Sequence, residues 1–303
     1  MGEPVRFDGG HRRDRYLTDT IQRFVTFVPV CPEMELGLGA PRETLRLVDR
    51  GQGRRLVAPA SGLDHTEAMT RWSADKVAAL EALGLSGFVL KKDSPTCGMT
   101  RVRVYDHNDV PARTGAGVFA AALAQGAPLL PIEEDGRLHD PRLRENFFER
   151  VFAYRRLRTL FEGEWTAGQL VAFHTREKLL LMAHSPAGYQ ALGRMVADPH
   201  ARPREALARD YQAGFMQALA ALATIGRHVN VLQHMAGYVS DALDPDDRQE
   251  LHRTIAEFQA GLVPLVVPLV ILRHHVRRQR VDYLLGQTYL EPHPRELMLR
   301  NHV

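Results

Sequence analysis

Two different spacings of apolar residues follow one another along the chain. Up to about residue 135, short unbroken apolar runs alternate with segments of helical period. Phe24 to Val30 (FVTFVPV), Leu56 to Pro59 (LVAP), Gly87 to Leu90 (GFVL) and Leu129 to Ile132 (LLPI) have the length and content of buried strands, while His65 to Leu83 and Gly117 to Gln125 read as helices. This alternation predicts a Rossmann-like parallel α/β sheet, because parallel neighbours need a crossover helix between them. After Glu133 to Leu138 (EEDGRL) the short runs stop. From Pro141 onward the pattern is that of long amphipathic helices, broken at Ser185-Pro186, Asp198-Pro199, Asp244-Pro245 and Pro292-His293-Pro294. Asp or Ser before Pro marks a helix start: the side chain caps the first amides, and proline gives up an N–H that would be orphaned there. The expectation is an α/β domain over 1–150 and an all-helical domain over 151–303. The boundary is expected within 140–165, where Glu162-Gly163-Glu164 interrupts the helical pattern.

Composition narrows the class. At 303 residues, 45% hydrophobic and 25% charged, the chain can fill two modest cores. The longest apolar stretch, Gly261 to Leu272 (GLVPLVVPLVIL), has 12 residues and two prolines, against about 20 for a bilayer span. A core element is expected there, and no membrane partner. Two cysteines in the chain exclude a disulfide framework, and the opening residues lack a signal-peptide pattern, so the expected compartment is a reducing cytoplasm. Net charge is +3, and 35 of the 39 basic residues are Arg, which fits a GC-rich coding sequence as readily as a nucleic-acid surface. Nucleic acid has only the run Arg273 to Arg280 (RHHVRRQR) in its favour, and a solvated helix end is the plainer reading. Oligomeric state leaves no mark on the sequence.

The cysteines are the first candidates for chemistry. Cys31 directly follows FVTFVPV, and Cys97 follows GFVL after a six-residue turn. In a parallel sheet both thiols lie beyond the carboxyl ends of strands, where open α/β folds bind ligands. Taken singly, a free cysteine usually behaves as a small buried hydrophobe. Here the company is polar: Glu33 stands two residues after Cys31, and Asp93, Ser94, Thr96 and Gly98 surround Cys97. A redox dithiol lacks a Cys-x-x-Cys motif, a zinc site would have to recruit His65 or His107, and an iron–sulfur cluster ordinarily takes three or four thiolates. Asp8-Gly9-Gly10 reads as a turn that could line a pocket. Thr114-Gly115-Ala116-Gly117 opens a small-residue helix whose free amides could hold an anionic group, with close packing on the sheet as the alternative. In the helical half, His174, His184, His228, His234, His274 and His275 lie in motif-like blocks, and His174 could share a helix face with Glu177. No complete metal signature appears, so these histidines are expected as capping or core groups.

The blocks VRFDGGHRRDR (Val5 to Arg15), VPVCPEMELGLGAPRE (Val28 to Glu43), KKDSPTCGM (Lys91 to Met99) and RTGAGVFAAAL (Arg113 to Leu123) together resemble the thiouracil desulfurase family. The remainder, from FHTREKLLLMAHSPAGYQALG (Phe173 to Gly193) through NVLQHMAGY (Asn230 to Tyr238) to HPRELMLRN (His293 to Asn301), resembles the YbgA-type domain of unknown function. The resemblance implies a [4Fe-4S] cluster held by three cysteines. Its fourth iron would be open to the sulfur of a thiolated pyrimidine, a 2-thiouracil-like base or nucleoside, which is released as sulfide. Two ligands map onto Cys31 and Cys97. The third belongs to a Cys-Leu-Leu-Gly-like block reduced here to Met1-Gly2, so it is expected upstream of Met1. In this reading iron polarises the C=S bond, Glu33 takes a proton from water, and Ser94 positions that water or protonates the leaving sulfur. Asp8, Gly9, Gly10, Gly115 and Gly117 would line the substrate pocket. Without the resemblance, Glu33 is a carboxylate at a helix N-terminus and Ser94 a turn-capping hydroxyl. The alternative function is a non-catalytic adaptor with a degenerate cluster site, its helical half docking on nucleic acid or a protein.

Overall fold

In a computed structural model that describes residues 2–51 and 53–303, the chain divides into two compact units between His139 and Asp140. The division lies ahead of the expected 150/151 because Asp140-Pro141 starts a helix, whereas Glu162-Gly163-Glu164 merely ends it. The third cysteine, expected upstream of Met1, lies outside the described residues, as does Met1 itself.

The first unit carries strands β1 (Arg46–Asp49), β2 (Arg54–Val57), β3 (Phe88–Leu90), β4 (Val102–Tyr105), β5 (Pro111–Gly115) and β6 (Ile132–Glu134). Four form a mixed sheet in the order β2-β1-β4-β5, and β3 pairs with β6 in a separate ladder. The pairs β1–β4 and β3–β6 are parallel, while β1–β2 and β4–β5 are antiparallel. The Rossmann-like parallel sheet is thereby corrected to a mixed α/β arrangement. The physical reason is connection length: β1 returns as β2, and β4 as β5, across tight turns that permit only antiparallel pairing. Asp106 closes the second turn, its Oδ1 accepting from Asn108 N at 2.8 Å and Val110 N at 2.9 Å. The expected strand Phe24 to Val30 is not one either. It runs without a ladder, Pro29 has no N–H to donate, and Val28 is 44% exposed. A β-forming composition without a neighbouring edge makes no strand.

Helices α1 (Pro32–Glu35), α2 (Thr66–Ala82) and α3 (Val118–Gly126) complete the unit. α2 covers the mixed sheet by placing Met69 against Leu47, Leu56, Val102 and Val104. α3 joins that layer through Phe119, whose ring lies 5.5 Å from Trp72 and 5.7 Å from Phe88.

The second unit is all-helical, as its period predicts: α4 (Pro141–Phe161), α5 (Ala167–His184), α6 (Pro186–Ala197), α7 (Arg204–Ala220), α8 (Ile225–Val239), α9 (Pro245–Gln259), α10 (Val266–Gln279) and α11 (Asp282–Leu285), then 3-10 turns. Asp140, Ser185 and Asp244 cap α4, α6 and α9 with Pro following, and Thr166 and Thr224 cap α5 and α8. Asp198-Pro199 behaves differently: Asp198 ends α6, and the next helix waits until Arg204. The apolar stretch at 261–272 leads into α10, where Leu269 and Leu272 are buried. None of the described helices is long and apolar enough to cross a membrane.

Candidate functional site

Cys31 is the N-cap of α1, the point where the extended segment turns into four helical residues behind Pro32. That single turn brings Glu33 back beside its own cap, so the Cys31 Sγ–H donates to Glu33 Oε2 at 3.5 Å. Cys97 sits in a turn that starts with Asp93 in the left-handed region (φ 60°), a conformation Asp tolerates better than most residues. Ser94 organises this turn. Its Oγ accepts from Cys97 N at 3.0 Å and Thr96 N at 3.3 Å, and its carbonyl accepts from Gly98 N at 2.8 Å. The start of α3 then docks on the turn: Gly117 N donates to Gly98 O at 2.8 Å and Ala120 N to Thr96 O at 3.0 Å. A Cβ on Gly117 would lie 2.3 Å from Thr96 O, so only glycine permits this approach.

The two cysteine segments meet at Glu33. Its carboxylate is buried, 9% exposed. The Thr96 hydroxyl donates to its Oε1 at 2.6 Å, which commits the only hydroxyl hydrogen of Thr96, so Ser94 Oγ donates to Thr96 Oγ1 at 2.9 Å. Ser94, Thr96 and Glu33 therefore form one directed chain. On the other oxygen, Oε2, Arg42 Nη2 stands at 3.9 Å. Arg42 also donates from Nη1 to Val5 O and Gly39 O, both at 2.9 Å, and from its backbone to Phe7 O at 2.8 Å. The thiols are free and half-buried. Burial, reinforced by the Glu33 charge, pushes both upward, and a Cys31 thiolate would add to the effect at Cys97. Neither is poised as a nucleophile in this state.

The structure thus brings Cys31, Glu33, Ser94, Cys97 and Gly117 together. Asp8, Gly9 and Gly10 form an exposed turn instead. Asp8 is paired with Arg6 at 2.9 Å, which holds its carboxyl at about 2, and accepts from Gly10 N at 3.0 Å. Val5 and Phe7, just ahead of this turn, are tied to Arg42, which stands beside Glu33. Gly115 ends β5 against the sheet, where a Cβ would meet Val104 Cγ2 at 2.7 Å. Neither Thr96 nor Arg42 had been given a role from sequence. Both lie in the quoted blocks, but their bonds span 63 and 37 residues, which no local pattern displays.

Among the described residues, no group of three or more His, Cys, Asp or Glu is placed to hold a metal ion. His65 stands at the start of α2, and His107 meets Asn108 Nδ2 at 3.0 Å, so neither joins the thiols. Two soft sulfur donors on segments that meet at one carboxylate match iron–sulfur ligation in kind, and supply two of the thiolates such a cluster takes. In the helical unit His174 and Glu177 do not act together: His174 Nδ1 meets the Tyr211 hydroxyl at 3.1 Å, and Glu177 takes Arg156 at 2.8 Å. His184 is ion-paired with Glu149 at 2.7 Å, and His228 Nδ1 meets the Tyr289 hydroxyl at 2.8 Å.

Fold and site define a cysteine-paired α/β unit followed by a helical unit with a buried polar interior. Comparison with known proteins assigns both. Residues 1–135 match the 2-thiouracil desulfurase family, and residues 178–294 match a family described as protein of unknown function DUF1722. The uncharacterized protein YbgA of Escherichia coli K12 is 35% identical over 156 residues, covering 50% of this chain and 90% of its own length. The uncharacterized protein YbbK of Bacillus subtilis 168 is 29% identical over 131 residues, covering 41% of this chain and 84% of its own. A solved structure, the [4Fe-4S]-dependent thiouracil desulfidase TudS (DUF523Vcz), aligns at 26% identity and a TM-score of 0.37 over 46% of this chain and 87% of that one. The chain belongs to the YbgA family by its second unit, and its first unit matches the 2-thiouracil desulfurase family over residues 1–135.

Proposed function

We propose that the chain is an iron–sulfur-dependent desulfurase of thiolated pyrimidines, a 2-thiouracil-like base or nucleoside, releasing sulfide. The observation that carries this reading is the Glu33 carboxylate bonded to the Cys31 thiol on one side and to Thr96, the residue before Cys97, on the other, within a family-matched unit. A [4Fe-4S] cluster held by Cys31 and Cys97 would supply an electrophilic iron for the substrate's sulfur. The rest falls to the chain's own side chains. In the balanced reaction water's oxygen bonds the ring carbon as the C–S bond breaks, both protons leave with sulfide, and no electrons are consumed. Glu33 is the group to receive the first proton, because Thr96 and Arg42 fix its two oxygens and burial keeps competing water away. Ser94 acts through Thr96: its hydrogen and both its acceptor positions are committed, so it holds the turn and orients the carboxylate. Gly117 brings the amide end of α3 against the same turn.

The test is iron and acid-labile sulfide per chain in anaerobically reconstituted protein, with sulfide release from 2-thiouracil measured alongside. Iron that disappears in Cys97→Ser, together with turnover that disappears in the same variant, is the expected result. Turnover in protein free of iron, or iron that persists undiminished in both Cys31→Ser and Cys97→Ser, overturns the proposal.

A further inference from the structure

The helical unit contains polar atoms with nothing to bond. His174 on α5 is 8% exposed, and its Nε2 is buried without a hydrogen-bond partner among the described residues. His234 on α8 repeats the condition at its own Nε2. A buried polar group left in this state costs about 1–3 kcal/mol, and such an atom in a native protein calls for an occupant.

Lys178 follows His174 by one turn of α5, has no ion-pair partner among the described residues, and packs on tyrosine rings that lead to both imidazoles. Its Nζ lies 6.0 Å from the Tyr189 ring centroid and 5.7 Å from that of Tyr283. His174 stacks on Tyr189 at 5.4 Å with the planes 5° apart. His234 meets Tyr238 edge-on at 5.4 Å, and Tyr238 lies 5.1 Å from Tyr283. Helices α5, α6, α8 and α11 thus link both histidines to one ammonium through tyrosine rings, Tyr189 toward His174 and Tyr283 with Tyr238 toward His234, and its charge bears on both imidazoles. The group opens to solvent: Tyr238 is 46% exposed, and Lys178, Tyr189 and His234 are half-buried.

The hydrogen on His174 follows from its neighbour. The buried Tyr211 hydroxyl has no acceptor other than His174 Nδ1 among the described residues, so Tyr211 donates and the neutral ring carries its own hydrogen on Nε2. An ammonium and an outward N–H are donors, and they repel a cation. We infer that Lys178, with the Nε2 atoms of His174 and His234, forms a binding site for a compact oxyanion, a phosphate or a carboxylate group, walled by Tyr189, Tyr238 and Tyr283. Gly193 on α6 leaves the position beside His174 Nε2 without a side chain. A Cβ there would rest 3.6 Å from His174 Nε2, an ordinary van der Waals contact with no other atom within 4 Å. Alanine would therefore cover the donor without displacing anything, in a helix that favours Ala over Gly by about 1 kcal/mol.

The test is isothermal titration calorimetry of the full chain at constant ionic strength with inorganic phosphate and, separately, acetate. Saturable binding of at least one is expected, weakened about tenfold or more by Lys178→Met, the loss expected for a charge-assisted contact. Gly193→Ala should weaken it likewise without lowering the thermal midpoint, and Arg278→Ala, in the exposed basic run, should leave it unchanged. No saturable binding of either anion overturns the inference, as does binding that survives both Lys178→Met and Gly193→Ala. Binding abolished by Arg278→Ala alone overturns it by moving the site to the arginine run.

Discussion

Glu33 depends on a threonine that contacts it from another part of the chain. Replacing Glu33 by Gln removes a proton acceptor but no sulfur ligand, so iron content should stay near that of the parent while sulfide release slows by about 10²-fold or more. Equal rates would remove Glu33 from the chemistry. Thr96→Val removes the donor to Oε1 and the acceptor for Ser94 in one step. A loss of about 1–3 kcal/mol in denaturant stability is expected, with slower turnover at unchanged iron. At this scale the sequence displays what is adjacent: Glu33 beside Cys31, and Ser94 in the turn of Cys97. It hides the contact between them, because Thr96 reaches Glu33 across 63 residues.

Elements matter through their ends. The start of α3 rests on the cysteine turn only because position 117 has no side chain, so Gly117→Ala must push backbone against backbone. The expected cost is about 1–3 kcal/mol, and iron bound per chain should fall with the disturbed turn. In the second unit, α5 starts in a reciprocal capping box between Thr166 and Gln169, and Thr166→Ala should lower stability by about 1 kcal/mol. Buried histidines in this unit make it acid-sensitive. Burial lowers His228 to about 3, and His174 and His293 to about 4, from an ordinary 6.5. As pH falls below 6.5 the unfolded chain takes up these protons first, so stability is complete above that value and is lost toward pH 4 and 3. Glu145, raised to about 7 by burial, and His184, raised by its Glu149 partner, work in the opposite direction. His234 is lowered by burial too, and Glu149 beside His184 and Asp244 at its helix cap are held below the usual carboxylate range, so the groups that lose stability in acid outweigh the raised pair. The urea midpoint of helix unfolding should fall between pH 6.5 and 4, and His228→Gln should flatten that slope; an unchanged slope would exclude His228 as a source.

Over the whole molecule, the last residues fasten the second unit. Arg300, 6% exposed, donates from Nη2 to Glu149 at 2.9 Å and from Nη1 to Tyr289 O at 2.5 Å, and its Nε lies 3.3 Å from Glu145. Arg300→Met would leave two carboxylates buried without their guanidinium, and a loss of about 3–5 kcal/mol is expected by urea titration. A loss under 1 kcal/mol would mean that His184 alone suffices for Glu149. Because the chain divides at 139/140, a fragment over 140–303 should unfold cooperatively by itself. An aggregating fragment would show that this unit requires the first.

The sequence by itself determined the order of elements, the helical second half with its Asp-Pro and Ser-Pro starts, and the two cysteine turns. These are local matters: apolar period, capping and turn chemistry act within a few residues. The strands were only half legible. GFVL formed one, FVTFVPV did not, and β1, β4 and β5 carried no marked apolar run, because a strand exists only where another edge accepts its hydrogen bonds. The tertiary structure alone decided that Glu33 receives Thr96 and Arg42, that Gly117 faces Thr96, and that Lys178 lies over Tyr189 and Tyr283. Each of these contacts is set by how separate elements pack, and packing brings together residues whose spacing along the chain has no period to read.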